Sequence, residues 1–234
     1  EQRQAIINEA VTKGLNKNVV LKDSGIEWLG EIPDHWEVVK FIRFCNLQQG
    51  LQINISQRFL EKVEGSLEYI TTKSIHNPDD YRQYVVGAKQ SVICNEDEVL
   101  LGRTGNTGEV VTGVSGVFHN NFFKINFNED FITKDYLVHY LNTSFIQELI
   151  GIVAGTTTIP DLNHGDFLNL PFIMPPIKEQ IDIVEKINSK YQIIDKSISD
   201  IQASIQKLKD YRESLISEAV TGKIDVRDWQ KPNN

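Results

Sequence analysis

A run of apolar residues between Pro175 and Thr221 limits what this chain can become more than any other stretch. Ile181, Val184, Ile187, Tyr191, Ile194, Ile198, Ile201, Ile205 and Leu208 follow one another at steps of 3, 3, 4, 3, 4, 3, 4 and 3. That alternation is the period of a coiled-coil seam. Lys, Glu, Asp, Ser and Gln fill the positions between, and neither Gly nor Pro interrupts them. The spacing predicts one amphipathic helix with a narrow oily stripe, which needs a partner. Pro175-Pro176 suits its start, because proline's missing N–H is among those unbonded in a first turn, and Gly222 with Lys223 suits its end. About 44 residues at 1.5 Å each make a rod of roughly 65 Å, a length that fits a spacer between two bodies.

The close of this pattern is echoed at the start of the chain. Residues 3–15 align with 212–224 at an offset of 209. Six of thirteen positions are identical, Ile6/Leu215 and Leu15/Ile224 are apolar exchanges, and Lys13-Gly14 is transposed to Gly222-Lys223. Residues 1–21 therefore read as the end of a preceding spacer helix and its joint, so that the chain is one period of a repeating design.

The 234 residues, 40% of them hydrophobic, are enough for a recognisable core and one or two domains. No apolar run approaches a membrane span and the N-terminal residues are polar, so a cytoplasmic protein without membrane contact is expected. Cys45 and Cys94 lack metal-ligand or C-x-x-C spacing and are expected to be reduced thiols. The net charge of −8 is concentrated in the middle, where residues 22–175 carry 11 basic and 20 acidic side chains. A nucleic-acid binder more commonly shows a basic balance, since neutralising phosphates supplies most non-specific affinity.

Between the two helical stretches the signals are short and strand-like. Asp23 to Val38 carries two tryptophans, Trp28 and Trp36, with Gly and Pro between them, and reads as a surface loop pinned by two aromatic anchors. Strands are expected at 38–44, 67–70, 84–86, 91–94, 98–101, 109–112, 116–118 and 121–127. Thr133 should cap a helix buried through Leu137, Tyr140, Leu141, Leu149 and Ile150 and ending before Gly151. A turn-rich loop at Gly155 to Pro160 and a returning strand at 166–174 complete an α+β globule over 22–175, followed by the rod over 176–222 and a tail over 223–234.

Several stretches resemble, together and in this order, the specificity subunit of type I restriction-modification enzymes. They are Asp23-Ser-Gly-Ile-Glu-Trp-Leu-Gly-Glu-Ile-Pro-Asp-His-Trp-Glu37, Val99-Leu-Leu-Gly-Arg-Thr-Gly-Asn-Thr-Gly108, Gly155-Thr-Thr157, Leu170-Pro-Phe-Ile-Met-Pro-Pro-Ile-Lys-Glu-Gln180 and Ser217-Glu-Ala-Val-Thr-Gly-Lys-Ile224. The resemblance implies a recognition domain that reads half of a bipartite double-stranded DNA target and a helix that acts as a ruler. It further implies modification (methyltransferase) subunits as partners and, through them, a restriction subunit. One recognition domain and one complete helix resemble the second half of such a subunit, or a half-sized form. Such a form would be a homodimer, or pair with its other half, through the stripe from Ile181 to Leu208.

The residues themselves argue against catalysis. Met174-Pro175-Pro176-Ile177 has the prolines of an adenine-methyltransferase loop but neither the polar residue before nor the aromatic after. No lysine has a carboxylate two positions before it, as a metal-dependent nuclease needs, and Gly102 to Gly108 lacks the Lys-Ser/Thr of a phosphate-binding loop. The five histidines are scattered, so no metal and no cofactor are expected.

For DNA contact the first candidates are Arg103, Thr104 and Asn106, which combine a charged fork, a hydroxyl and an amide on a glycine-rich loop. The alternative for that loop is a tight hairpin whose arginine makes a surface salt bridge. Gln52 and Arg58 lie in an amide-rich stretch, Lys73 and His76 follow an expected strand, and Arg82 and Lys89 could clamp the backbone. The exposed side of the rod and the Gly155 to Pro160 loop are candidate docking surfaces for a modification subunit. A structural adaptor with protein partners alone is the rival interpretation.

Overall fold

A computed structural model describes residues 1–155, 160–225 and 227. Thr156 to Ile159 of the expected turn-rich loop, and most of the tail, lie outside the described residues. Two compact units are distinguished, Glu1–Ile187 and Asn188–Asn234.

The first unit opens with α1 (Gln2–Lys13), which buries Ile7, Ala10 and Val11. It is followed by the small hairpin β1 (Leu21–Asp23) and β2 (Glu31–Pro33). Within that segment only Trp36 is a true anchor, fully buried, whereas Trp28 is 46% exposed with its ring 5.2 Å from Phe145. The expected strand over 38–44 is two strands. β3 (Glu37–Lys40) and β4 (Cys45–Gln49) are separated by a short 3-10 turn, Phe41–Arg43. Phe41 causes the break: its ring is buried among Phe44, Tyr140, Phe167 and Phe172 at centroid distances of 4.6 to 6.1 Å, a position a continuous strand would not give it.

The remaining strands are β5 (Leu67–Ile70), β6 (Tyr84–Val85), β7 (Ile93–Cys94), β8 (Val99–Gly102), β9 (Val110–Val111), β10 (Gly116–Phe118), β11 (Phe122–Phe127) and β12 (Pro171–Met174). They form two four-stranded sheets, ordered β6-β5-β10-β7 and β4-β11-β8-β9, and a two-stranded pair of β12 with β3. Ile70, Cys94 and Phe118 from one sheet pack with Leu100, Val111 and Phe122 from the other. Successive strand residues point to opposite faces, so Tyr69 and Val117 join Val85 and Val92 in a second cluster.

Two short helices that the sequence reading missed, α2 (Thr72–His76) and α3 (Pro78–Tyr81), follow β5. The single helix expected after Thr133 is α4 (Lys134–Leu141) and α5 (Ser144–Ala154), and α5 runs through Gly151. The chain turns at Thr143, whose hydroxyl donates to the Tyr140 carbonyl at 2.6 Å instead of continuing the helix. Asn8 of α1 then ties down the start of α5, accepting from the Ser144 N–H at 3.1 Å. The strand expected over 166–174 begins instead as α6 (His164–Leu168), because the Asn163 side chain accepts from the Asp166 N–H and nucleates a turn. Tyr136 and Tyr140 of α4 donate their hydroxyls to the carbonyls of Ile173 and Pro171, which fixes β12. Burial raises the pKa of both phenols.

The long helix α7 is assigned without a break from Ile177 to Val220. Within the first unit its opening turns are locked by two adjacent side chains. Glu179 accepts from the Trp36 indole at 2.9 Å, with His35 at 2.6 Å. Gln180 is fully buried, accepting from the Thr133 N–H at 2.8 Å and donating to the carbonyls of Phe131 and Pro175. Of the stripe residues here, Val184 and Ile187 are buried in the first unit and Ile181 is 46% exposed.

In the second unit Tyr191 and Ile194 are partly buried, and Ile198, Ile201, Ile205 and Leu208 are exposed. The helix ends in a Schellman pattern. The Lys223 N–H donates to the Glu218 carbonyl, the Gly222 N–H donates to that of Ala219, and Gly222 has the φ of +73° this closure needs. Among the described residues no helix is long and apolar enough to cross a membrane.

Candidate nucleic-acid interface

The β5 to α2 connection and the loop after β8 face one another across a cleft. On one side, Thr71 caps α2: its hydroxyl accepts from the Ser74 N–H at 3.1 Å while Ser74 Oγ accepts from the Thr71 N–H at 2.9 Å. That cap aims Thr72 and Lys73 into the cleft. On the other side, the loop is held by the Gly108 N–H donating to the Gly102 carbonyl at 2.8 Å, and by Thr107 donating to the carbonyls of Arg103 and Pro160. Gly102 is required there, since a Cβ would lie 2.1 Å from the Asn106 carbonyl oxygen. Arg58, Gln83, His119 and Asn121 complete the walls, with Ile55 and Tyr81 as apolar lining.

Of the residues expected from sequence, the fold therefore gathers Arg58, Lys73 and Thr104 into one cleft from three separate stretches. Asn106 and His76 meet beside it, with Asn106 Nδ2 3.1 Å from His76 Nε2 and both bonded to Glu109. Gln52, Arg82 and Lys89 do not line it. Gln52 and Lys89 are exposed, and Arg82 pairs with Glu68 at 3.5 Å.

Arg103 makes the surface salt bridge that was the alternative reading of its loop. Its Nη2 donates to Asp161 Oδ2 at 2.8 Å, its guanidinium lies 5.7 Å from the Phe123 ring centroid, and Thr104 donates to Asp161 Oδ1 at 2.6 Å. Asp161, not singled out in the sequence, thus fastens the loop. The Thr104 hydroxyl first, and then Arg103, hold its carboxyl below the ordinary carboxylate range. The contact is present above the unfolded-state pKa and is lost as pH falls through the depressed folded one. An NMR titration should find Asp161 protonating below the ordinary aspartate range, and in Thr104→Val its titration should move back up toward that range.

Charge in the cleft is set by burial as well as by composition. His119 is held below the ordinary histidine range by burial and by the nearby Arg58 charge, so it is neutral at neutral pH. Its Nδ1 accepts from the Asn121 N–H at 3.1 Å, which leaves Nε2 as the protonated donor. Lys73 has its ammonium 5.3 Å from the Tyr81 ring and, among the described residues, no carboxylate in ion-pair reach. No group of three or more His, Cys, Asp or Glu among the described residues is placed to hold a metal ion.

A strand-rich α+β globule carries a polar, cation-bearing cleft, and one long helix follows it in the chain. The chain belongs to the type I restriction modification DNA specificity domain family, whose model matches residues 33–207. It is 25% identical over 202 residues to the specificity subunit of the type I restriction enzyme MjaVIII of Methanocaldococcus jannaschii, covering 86% of this chain and 45% of that protein. It is 24% identical over 217 residues to the EcoKI specificity subunit of Escherichia coli K12, covering 86% and 46%. The chain spans about half the length of the curated relatives it matches. Its fold is similar to the crystal structure of the HsdS subunit from Thermoanaerobacter tengcongensis, with a TM-score of 0.64 at 16% identity over 95% of this chain and 51% of that one.

Proposed function

We propose that this chain reads one half of a bipartite double-stranded DNA target through the cleft between α2 and the Gly102–Gly108 loop. In this reading it has no catalytic step of its own and acts in the cytoplasm. It docks modification subunits, and through them a restriction subunit, with the exposed side of α7 and the Gly155 to Pro160 loop as docking surfaces. The exposed residues Ile198, Ile201, Ile205 and Leu208 pair with a second copy or with a sister helix, which sets the distance between two reading heads. The observation that carries the DNA reading is the convergence of Lys73 with the amides of Gln83 and Asn121 in one accessible cleft, with Arg58 fixed in its wall.

The acidic balance then has a physical account. A recognition head needs cations on one face only, and the modification subunits supply the remaining phosphate contacts and most of the salt dependence. The chain alone should bind duplex DNA weakly and gain strongly when the modification subunits of its host are added, as read by fluorescence anisotropy across a salt series. Lys73→Ala should lower the salt slope of the complex by about 1 without changing which sequence is preferred. Tight sequence-specific binding by the chain alone would refute the division of labour. Equal DNA retention of the modification subunits with and without the chain would favour the structural adaptor.

A further inference from the structure

One side chain of the cleft has been given a fixed orientation and unspent hydrogen-bonding capacity. Arg58 does not point outward. Its Nε donates to the Ile53 carbonyl at 2.9 Å, Nη2 donates to the same oxygen, and the guanidinium lies 4.8 Å from the Tyr69 ring centroid. That ring is itself held, because the Tyr69 hydroxyl donates to the Leu51 carbonyl at 2.7 Å and accepts from the Ile53 N–H at 3.0 Å. What remains of the guanidinium is directed at Gln83, whose Oε1 accepts from Nη1 at 3.2 Å.

This arrangement decides which way the Gln83 amide faces. With a guanidinium donor on one side, Oε1 must point toward Arg58, since the flipped amide would set two donors against each other. Nε2 is turned the other way and, among the described residues, makes no hydrogen bond. Gln83 is partly buried and lines the cleft. Its backbone is pinned as well, its carbonyl accepting from the Tyr69 N–H at 2.8 Å. An amide so fixed presents two donor hydrogens on Nε2 and the second lone pair of Oε1, the pattern that matches N7 and N6–H of adenine in the major groove.

We infer that Gln83 reads an adenine in the target, and that Arg58 is its positioning residue and makes no phosphate contact of its own. The inference rests on the cleft being the DNA-reading surface. It differs from the neighbouring candidates in a way the structure supplies: Arg103 and Thr104 are committed to Asp161, and Asn106 to Glu109 and His76, whereas the donor end of Gln83 is uncommitted.

The test is selection from a duplex library randomised over two helical turns, using the full chain assembled with the modification subunits of its host. The wild-type complex should enrich a motif containing an adenine that Gln83→Ala relaxes by about tenfold to a hundredfold at that position alone. Gln83→Glu, which offers acceptors only, should move the preference there toward cytosine, whose N4 amino group donates. Arg58→Lys should lose the same adenine preference with the other positions intact, a pattern that general loss of folding would not give. If Gln83→Ala and Gln83→Glu enrich the wild-type motif unchanged while Lys73→Ala weakens binding, the Gln83 assignment is wrong and the cleft reading stands. If the wild type enriches no motif, or the Lys73 variant binds as well as the wild type, the cleft reading fails and takes this inference with it.

Discussion

Replacing Trp36 by alanine should cost about 3–5 kcal/mol of stability, the range for deleting a large buried aromatic side chain. The indole is fully buried, so its loss removes transfer free energy and leaves a cavity beside Gly14, where a Cβ would lie 3.0 Å from the ring. It also strips Glu179 of its Trp36 N–H donor, leaving His35 at 2.6 Å. Because the Glu179 side chain is 38% exposed, water takes over much of that bond and the packing term dominates. Trp36→Phe, which keeps most of the volume and deletes the N–H, should therefore lose about 1 kcal/mol and no more. Denaturant melts measure both variants. A loss below about 1 kcal/mol in the alanine variant would mean that the segment before β3 is not what holds the start of α7.

The second large effect concerns the outward stripe. Ile198, Ile201, Ile205 and Leu208 are between 46% and 67% exposed and follow at steps of 3, 4 and 3. If a matching helix covers them, each buried aliphatic side chain contributes roughly 1.5–3 kcal/mol. Ile201→Glu with Ile205→Glu removes two of these per helix and adds charges that cannot be buried unpaired. Dissociation should be raised by at least two orders of magnitude, enough to convert a micromolar dimer to monomer in light scattering. Binding of a half-site duplex by the recognition head should be unaffected. A wild-type chain that is already monomeric at micromolar concentration, with or without its modification subunits, would overturn the pairing.

What could be read from the sequence was what depends on near neighbours. The 44-residue helix was legible because its stripe repeats over about eight turns and Gly222 stops it, with no help needed from other parts of the chain. The strands at Leu67–Ile70 and Gly116–Phe118 were legible from their apolar character, but their parallel pairing was not, since it joins segments far apart in sequence. Phe41 misled for the same reason. Its β propensity is real, and a distant aromatic cluster overrides it. Helices α2 and α3, of five and four residues, are too short for periodicity, and the only local signs were Thr71 three residues before Ser74 and Pro78 after Asn77.

The cleft divides along the same line. Cations and glycines announced the Gly102–Gly108 loop and the Lys73 stretch, yet nothing local told that Arg103 would spend its charge on Asp161, 58 residues onward. Gln83 lies 25 residues from Arg58 and carries no motif, so its fixed amide emerges only once the chain is folded.

The pairing of Glu37–Lys40 with Pro171–Met174 has a consequence for how such a protein changes. The strand leading into the reading head and the strand leading out are zipped together at its neck, and Phe41 to Leu170 hang from that clasp as a closed bag. If that head reads DNA as proposed, insertions or exchanges inside the bag would alter which bases are met while the clasp still handed the chain to the start of α7 from the same strand pair.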